Sequence, residues 1–167
     1  MSYLAEPLGE QHDLESFECG NDELNDWLEL HARTATGRGT RTYVIVDDDG
    51  AVVGYFAVAP HTIDREQLSR SQGRGAPRQI PAVLLAKLAL DRRLHGQRLG
   101  SELLVVALRT IVEAARRVGG RFVVVDDIDE AAVRFYEHHE FVGIPDNPSR
   151  LVRKLSTIAR ALDLPWP

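Results

Sequence analysis

The sequence has a single cysteine, Cys19, among 167 residues. No internal disulfide can form, and a reducing compartment is the default expectation. No apolar stretch approaches the roughly 20 residues that a membrane-spanning helix needs, so no membrane partner is expected. The N-terminus lacks a basic flank followed by an apolar core. No secretory signal is therefore visible, and the expected location is cytoplasmic. The first 30 residues hold nine acidic side chains and no Lys or Arg. Residues 31–98 reverse this, with eleven basic and six acidic, inside a chain of net charge −5. Such a basic middle suits a local polyanion patch rather than general nucleic-acid affinity, and a solvated arginine-rich surface explains it equally well. Repeats, linkers and low-complexity segments are missing too. With 44% apolar residues, residues 1–167 read as one globular domain with a real core.

What the chain does have is centred on residues 80–106. Ile80 to Leu90 is nearly continuous apolar sequence, as a strand buried on both faces requires. Arg92-Arg93-Leu94-His95-Gly96-Gln97-Arg98-Leu99-Gly100 follows, basic and with two glycines. Leu99, Leu103, Ala107, Ile111 and Ala115 then recur every four residues, with Leu104, Leu108 and Val118 beside them, which predicts a helix over 99–118. A strand, a glycine loop and a helix N-terminus together suit a phosphate or pyrophosphate. An ordinary tight turn fits the same pattern. The glycines lack the spacing of a dinucleotide fingerprint, and no Gly-Lys-Ser/Thr marks a nucleotide P-loop.

Around this centre the pattern predicts a mixed α/β architecture. Residues 3–8 read as a short strand and 22–34 as an amphipathic helix capped by Asn21 or Asp22. Residues 42–47 and 51–59 form a hairpin about Asp48-Asp49-Gly50. A long basic insertion spans 60–79, helical in part at 64–70. Gly119-Gly120 ends the long helix. A buried strand at 121–126 leads to a short helix at 130–139, then strands at 141–144 and 150–155 about a turn at 145–148, and a last short helix ending near Leu162.

Few side-chain groupings carry chemistry. His138 and His139 are adjacent, point apart on a helix and lack spaced partners, so no zinc site is expected. Asp126, Asp127, Asp129 and Glu130 follow a strand. They suit a divalent cation, or helix capping and solubility. Cys19 reads as a small buried hydrophobe, with nothing adjacent to activate it. No serine sits in a nucleophile elbow. Tyr136 reads either as a core ring or as a phenol of pKa near 10 that protonates a departing thiolate.

Leu88-Ala89-Leu90-Asp91, His95-Gly96-Gln97-Arg98-Leu99-Gly100-Ser101 and Asp129-Glu130-Ala131-Ala132-Val133-Arg134-Phe135-Tyr136 resemble the GNAT acetyltransferase superfamily. Phe17-Glu18-Cys19-Gly20-Asn21, Leu24-Asn25-Asp26-Trp27-Leu28, Arg41-Thr42-Tyr43-Val44 and Ile80-Pro81-Ala82-Val83 resemble more narrowly the GNAT toxins of type II toxin–antitoxin pairs. The resemblance spans about residues 15–160. It implies a single GNAT-like domain, with a mixed sheet of about six to seven strands flanked by helices. It implies acetyl-CoA as cosubstrate, no metal, and transfer to the α-amine of aminoacyl-tRNA, blocking translation. A ribbon-helix-helix antitoxin and a homodimer are the implied partners. Leu88, Ala89, Leu90, His95, Gly96, Gln97, Arg98, Leu99, Gly100 and Ser101 would hold the cofactor, and Tyr136 would be the general acid. Arg38, Arg41, Arg78, Arg92 and Arg93 are then candidates for tRNA phosphates. Transfer to a small molecule or protein amine is the alternative chemistry, and an acyl-CoA-binding regulatory module the non-enzymatic one. The chain departs from the family loop Gln/Arg-x-x-Gly-x-Gly/Ala. His95 takes the first place, Arg98 the middle glycine's, and Gly100 alone is kept. Asp126-Asp127 stands where toxin relatives tend to have an uncharged residue or histidine.

Overall fold

β-branched and aromatic runs form the strands, and the longest helix carries an apolar stripe. The computed structural model describes residues 4–167. Its strands are β1 (Glu6–Pro7), β2 (Arg41–Val46), β3 (Val52–Asp64), β4 (Gln79–Leu90), β5 (Phe122–Val125), β6 (Val142–Ile144) and β7 (Asn147–Lys154). They form one seven-stranded sheet in the order β1-β2-β3-β4-β5-β7-β6. β4 and β5 run parallel; the β1–β2, β2–β3, β5–β7 and β6–β7 pairs are antiparallel. The helices are α1 (Asp22–Asp26), α2 (Ala32–Thr36), α3 (Leu99–Val118), α4 (Glu130–His138) and α5 (Leu155–Ala161). The mixed α/β sheet with flanking helices is the architecture expected. Tyr3, at the start of the expected first strand, lies outside the described residues.

The chain divides into two compact units, residues 1–59 with 86–108 and residues 60–85 with 109–167. In the first, a π-helical turn, Trp27–His31, joins α1 to α2, and the Ala32 N–H reaches back five residues to the Trp27 carbonyl. The expected helix therefore continues to Thr36, with one wide turn inside it. Its buried side, Leu28 and Ala32, packs with Phe17, Val44, Val52, Tyr55 and Ala89. Tyr55 is fully buried, and its hydroxyl donates to the Leu24 carbonyl at 2.7 Å. Asn21 caps α1 through the Leu24 N–H, while Asn25 accepts from the Cys19 N–H at 2.9 Å and donates to Glu18 at 2.8 Å. The Phe-Glu-Cys-Gly-Asn stretch is thus a capping device.

In the second unit the core is Ile63, Leu68, Ala76, Ile80, Ala82, Phe122, Val124, Ile144 and Val152. Leu68 and Ala76 come from the basic insertion, which is a folded cover. The Arg65 guanidinium donates to the Ala76 carbonyl at 2.9 Å, and that of Arg121 to the Arg74 carbonyl. The helix expected at 64–70 is a single 3-10 turn, Arg65–Gln67. β3 runs on to Asp64 instead of stopping at Ala59, and β7 starts at Asn147, where a turn was expected. α3 has the expected bounds and buries Leu103, Leu104, Ala107, Leu108, Ile111, Val112 and Ala115. Val118, assigned to that stripe, is 89% exposed. Gly119, at φ 106°, then turns the chain out of the helix, a conformation that favours glycine.

Candidate active site

The site grows from the end of β4. Its ladder with β5 pairs Ala82, Val83 and Leu84 with Phe122, Val123 and Val124. β5 stops at Val125, and β4 continues to Leu90. From Ala86 onward, therefore, the edge of β4 that faced β5 has no β5 residue left to pair with. Backbone N–H groups along such an edge can bind an extended amide chain and a carbonyl oxygen. Ala89 and Leu90 bury their side chains. These residues can serve a ligand only through their backbone.

At the strand end Asp91 is 2% exposed, and its carboxylate is fully employed. It accepts from the Glu18 N–H at 3.1 Å, the Arg93 N–H at 3.0 Å and the Arg93 Nε at 2.9 Å. Burial pulls this carboxyl up, but the Arg93 guanidinium and the two N–H groups outweigh it and hold the pKa below the usual range. The Asp91 N–H donates to Val53 O at 2.8 Å, and the Arg92 N–H to Glu18 O at 2.8 Å. One carboxylate thus fastens the capping stretch to the start of the glycine loop. Sequence reasoning placed Asp91 in a motif but gave it no role.

The loop makes one 3-10 turn, Arg92–Leu94, and the His95 ring nitrogen Nε2 meets the Leu90 carbonyl at 2.8 Å. Gly96 follows at φ 79°, with open space where a Cβ would stand. Arg98, in the place of the family's middle glycine, has φ 61°. The left-handed turn is kept, with an arginine held in a glycine's conformation. Leu99 is buried and anchors the head of α3. The first-turn amides of that 20-residue helix lie beside an open glycine, which fits a diphosphate. His95 closes the loop onto the strand through its ring. The Gln97 side chain makes a long 3.5 Å contact with the Arg93 carbonyl.

Tyr136 belongs to the second unit. Asp129 caps α4 through the Ala132 N–H at 2.8 Å. One turn on, Tyr136 is 6% exposed, with the Phe135 ring at 5.2 Å and that of Phe141 at 5.3 Å. Burial pushes its phenol above the usual value, so it stays protonated at every cellular pH. The acidic run nearby is divided among separate tasks: Asp126 pairs with Arg150, and Asp129 caps α4. Among the described residues no group of three or more His, Cys, Asp or Glu is placed to hold a metal ion.

Arg38, Arg41, Arg78, Arg92 and Arg93 are all exposed. Arg38 and Arg41 flank the short connection between α2 and β2, and Arg41 spends hydrogen bonds on the Thr36 and Thr40 carbonyls. Arg92 and Arg93 flank the glycine loop, with Arg93 committed to Asp91. Arg78 stands at the end of the insertion, in the other unit.

The parallel β4–β5 pair, the left-handed turn and the helix head define a class of protein, and comparison with known families agrees. Residues 7–141 match the acetyltransferase (GNAT) family, and the chain belongs to it. It is 32% identical to the tRNA-acetylating toxin of Mycobacterium tuberculosis (strain ATCC 25618 / H37Rv), over 93% of each chain. Among solved structures it resembles AtaT complexed with acetyl-methionyl-tRNAfMet, with a TM-score of 0.85 and 28% identity over 96% of this chain and 99% of that one. It also resembles a tyrosine-to-phenylalanine mutant of AtaT bound to the C-terminus of the antitoxin AtaR and acetyl-CoA, with a TM-score of 0.80 and 26% identity over 97% and 99% of the two chains. No described helix is long and apolar enough to cross a membrane.

Proposed function

We propose that this chain is a toxin that moves the acetyl group of acetyl-CoA onto the α-amine of an aminoacyl-tRNA. The observation that most supports the donor half is the course of β4 past the end of β5 into the Gly96–Arg98 turn at the head of α3. The acceptor half is supported by the relatives: one is named for acetylating tRNA, and AtaT was solved with an acetylated methionyl-tRNA.

Acetyl-CoA supplies an activated acyl carbon with a thiolate leaving group. The backbone of Leu88, Ala89 and Leu90 aligns the donor and polarises its carbonyl. The stretch from His95 to Ser101 receives the diphosphate: Gly96, Leu99, Gly100 and Ser101 through amides, His95 and Gln97 by shaping the loop, and Arg98 by charge. Tyr136 hands its proton to the departing sulfur, and a mutant relative in which phenylalanine replaces a tyrosine fits a phenol in that role. Arg38, Arg41, Arg78, Arg92 and Arg93 receive tRNA phosphates. A ribbon-helix-helix antitoxin, a homodimer and a cytoplasmic setting complete the proposal. Of the acidic run that would favour a polyamine acceptor, Asp126 pairs with Arg150 and Asp129 caps α4.

The test is a purified translation mixture with labelled acetyl-CoA. Label passing to methionyl-tRNA but not to uncharged tRNA, with loss of protein synthesis, is the expected result. Label that reaches free amines and leaves every charged tRNA untouched would overturn the reading.

A further inference from the structure

β4 carries one charged residue among its twelve, Lys87. A strand this apolar normally has none. Lys87 lies where β4 has outrun β5, and it directly precedes Leu88. It and its neighbours all belong to the first unit. The half-buried side chain stands over the Trp27 ring, with Nζ 5.7 Å from the ring centre. Trp27 in turn lies flat on Tyr55, at 6.0 Å and 7° between planes. Ala89, two residues on from Lys87, packs in the cluster that Trp27 covers and so shares its face.

No carboxylate completes this arrangement. Among the described residues Lys87 takes part in no ion pair, and an aromatic ring is the partner of its ammonium. Asp22, Glu23, Asp26, Glu29 and His31 on the helical segment above are all exposed. β3 brings no charge between Val52 and Ala59. Glu18 is spent on Asn25 and the Gly20 N–H, and Asp91 on Arg93 and the Glu18 N–H. Burial pushes the Cys19 thiol and the Tyr55 phenol above their ordinary values, so both stay uncharged. A ring holds a cation without neutralising it, so the positive field of Lys87 reaches outward.

We propose that Lys87 is a specificity-determining residue, whose charge favours an acceptor amine that is neutral in the site and turns away cationic ones. The inference rests on the acetyltransferase reading, which seats the thioester on the backbone of Leu88 to Leu90. Only a free-base amine has the lone pair that attacks the acyl carbon. An α-amine gives up its proton near pH 8, whereas lysine side chains hold theirs to about pH 10. A fixed like charge nearby makes the bound amine release its proton more readily still. It also disfavours any acceptor that carries a second ammonium. Such a field acts over several ångströms, so the place of Lys87 next to Leu88 in β4 is sufficient and no contact is required. Lys87 itself forms no bond and moves no proton.

The test uses the full-length protein, with Lys87→Met and Lys87→Gln to remove the charge and Lys87→Arg to keep it. The acceptors are methionine amide, with one amine, and putrescine, with two. The acid limb of kcat on methionine amide reports the bound amine. Both neutral variants should move that limb up by roughly half to one pH unit. They should also cut the preference for methionine amide over putrescine about fivefold. Lys87→Arg should match wild type in both measurements, and acetyl-CoA affinity by calorimetry should stay within about threefold throughout. A role confined to packing on Trp27 would move neither the limb nor the preference. A neutral variant that keeps the wild-type limb and preference overturns the proposal, and so does an arginine variant that behaves like the neutral ones. Methionyl-tRNA is assayed alongside. Acetylation of methionine amide alone would sink the tRNA reading, while the effect of Lys87 is still decided on the amide.

Discussion

The two units offer the proposed chemistry different materials. In the first, the proposed donor seat is backbone: the edge of β4, a left-handed turn and the amides of α3. In the second, the proposed acid is a side chain, Tyr136 among aromatic rings. A seat made of backbone depends on conformation, so it survives changes of side chain that leave φ and ψ alone. Arg98 keeps such a conformation, with φ 61° and without a glycine's freedom. Proton transfer allows no such latitude, because it needs a particular atom with a particular acidity.

Four changes probe that contrast. The largest effect is expected from Tyr136→Phe, which removes one oxygen from a buried ring. Steady-state acetyl transfer should fall about 100-fold or more, and acetyl-CoA affinity by calorimetry should stay within twofold. Unimpaired turnover would remove Tyr136 as the acid. Asp91→Asn comes next, since it leaves the Glu18 and Arg93 donors facing an amide. Urea unfolding should show a loss of about 3 kcal/mol. The sign with pH follows: the native pKa is depressed, so Asp91 stabilises the fold above its unfolded pKa of about 3.9 and loses this as pH falls through the native value. The wild-type advantage over Asp91→Asn should therefore shrink below about pH 4. Arg98→Gly should relieve the left-handed strain, worth about 1 kcal/mol of local conformational energy. Thermal scans would show whether that relief exceeds glycine's added unfolded-state entropy; acetyl-CoA affinity that collapses would mean the side chain, not the turn, holds the phosphate. The smallest effects belong to Arg38→Ala and Arg41→Ala. Each should weaken tRNA binding a few-fold and lower the slope of log K against log salt by about one, with no change in acetyl-CoA affinity.

Much of this fold is legible in the sequence where the cause is local. α3 repeats its apolar pattern over five turns and ends at Gly119, so both its bounds can be read directly. The turn between β4 and α3 is equally readable, because a strand, glycines and a helix head follow one another along the chain. The insertion is not, since its order hangs on distant partners: Arg65 on the Ala76 carbonyl, Arg121 on the Arg74 carbonyl, and Gln72 on Gly143. β3 passes through Pro60, and β7 starts with Asn147 and Pro148, residues that read as breaks until neighbouring strands stabilise them. Asp126 and Arg150 are far apart in sequence and share no motif, so only sheet register brings them together. The tasks of Asp91 were hidden for the same reason, because its partner Glu18 lies 73 residues away.

The amides of Glu18, Arg92 and Arg93 all depend on one knot around the Asp91 carboxylate. Hydrogen exchange should therefore find them opening as one event and not as three. The leading segment of the chain and the turn in front of α3 then loosen together or stay shut together, and whatever tightens one is felt by the other without any movement of the sheet.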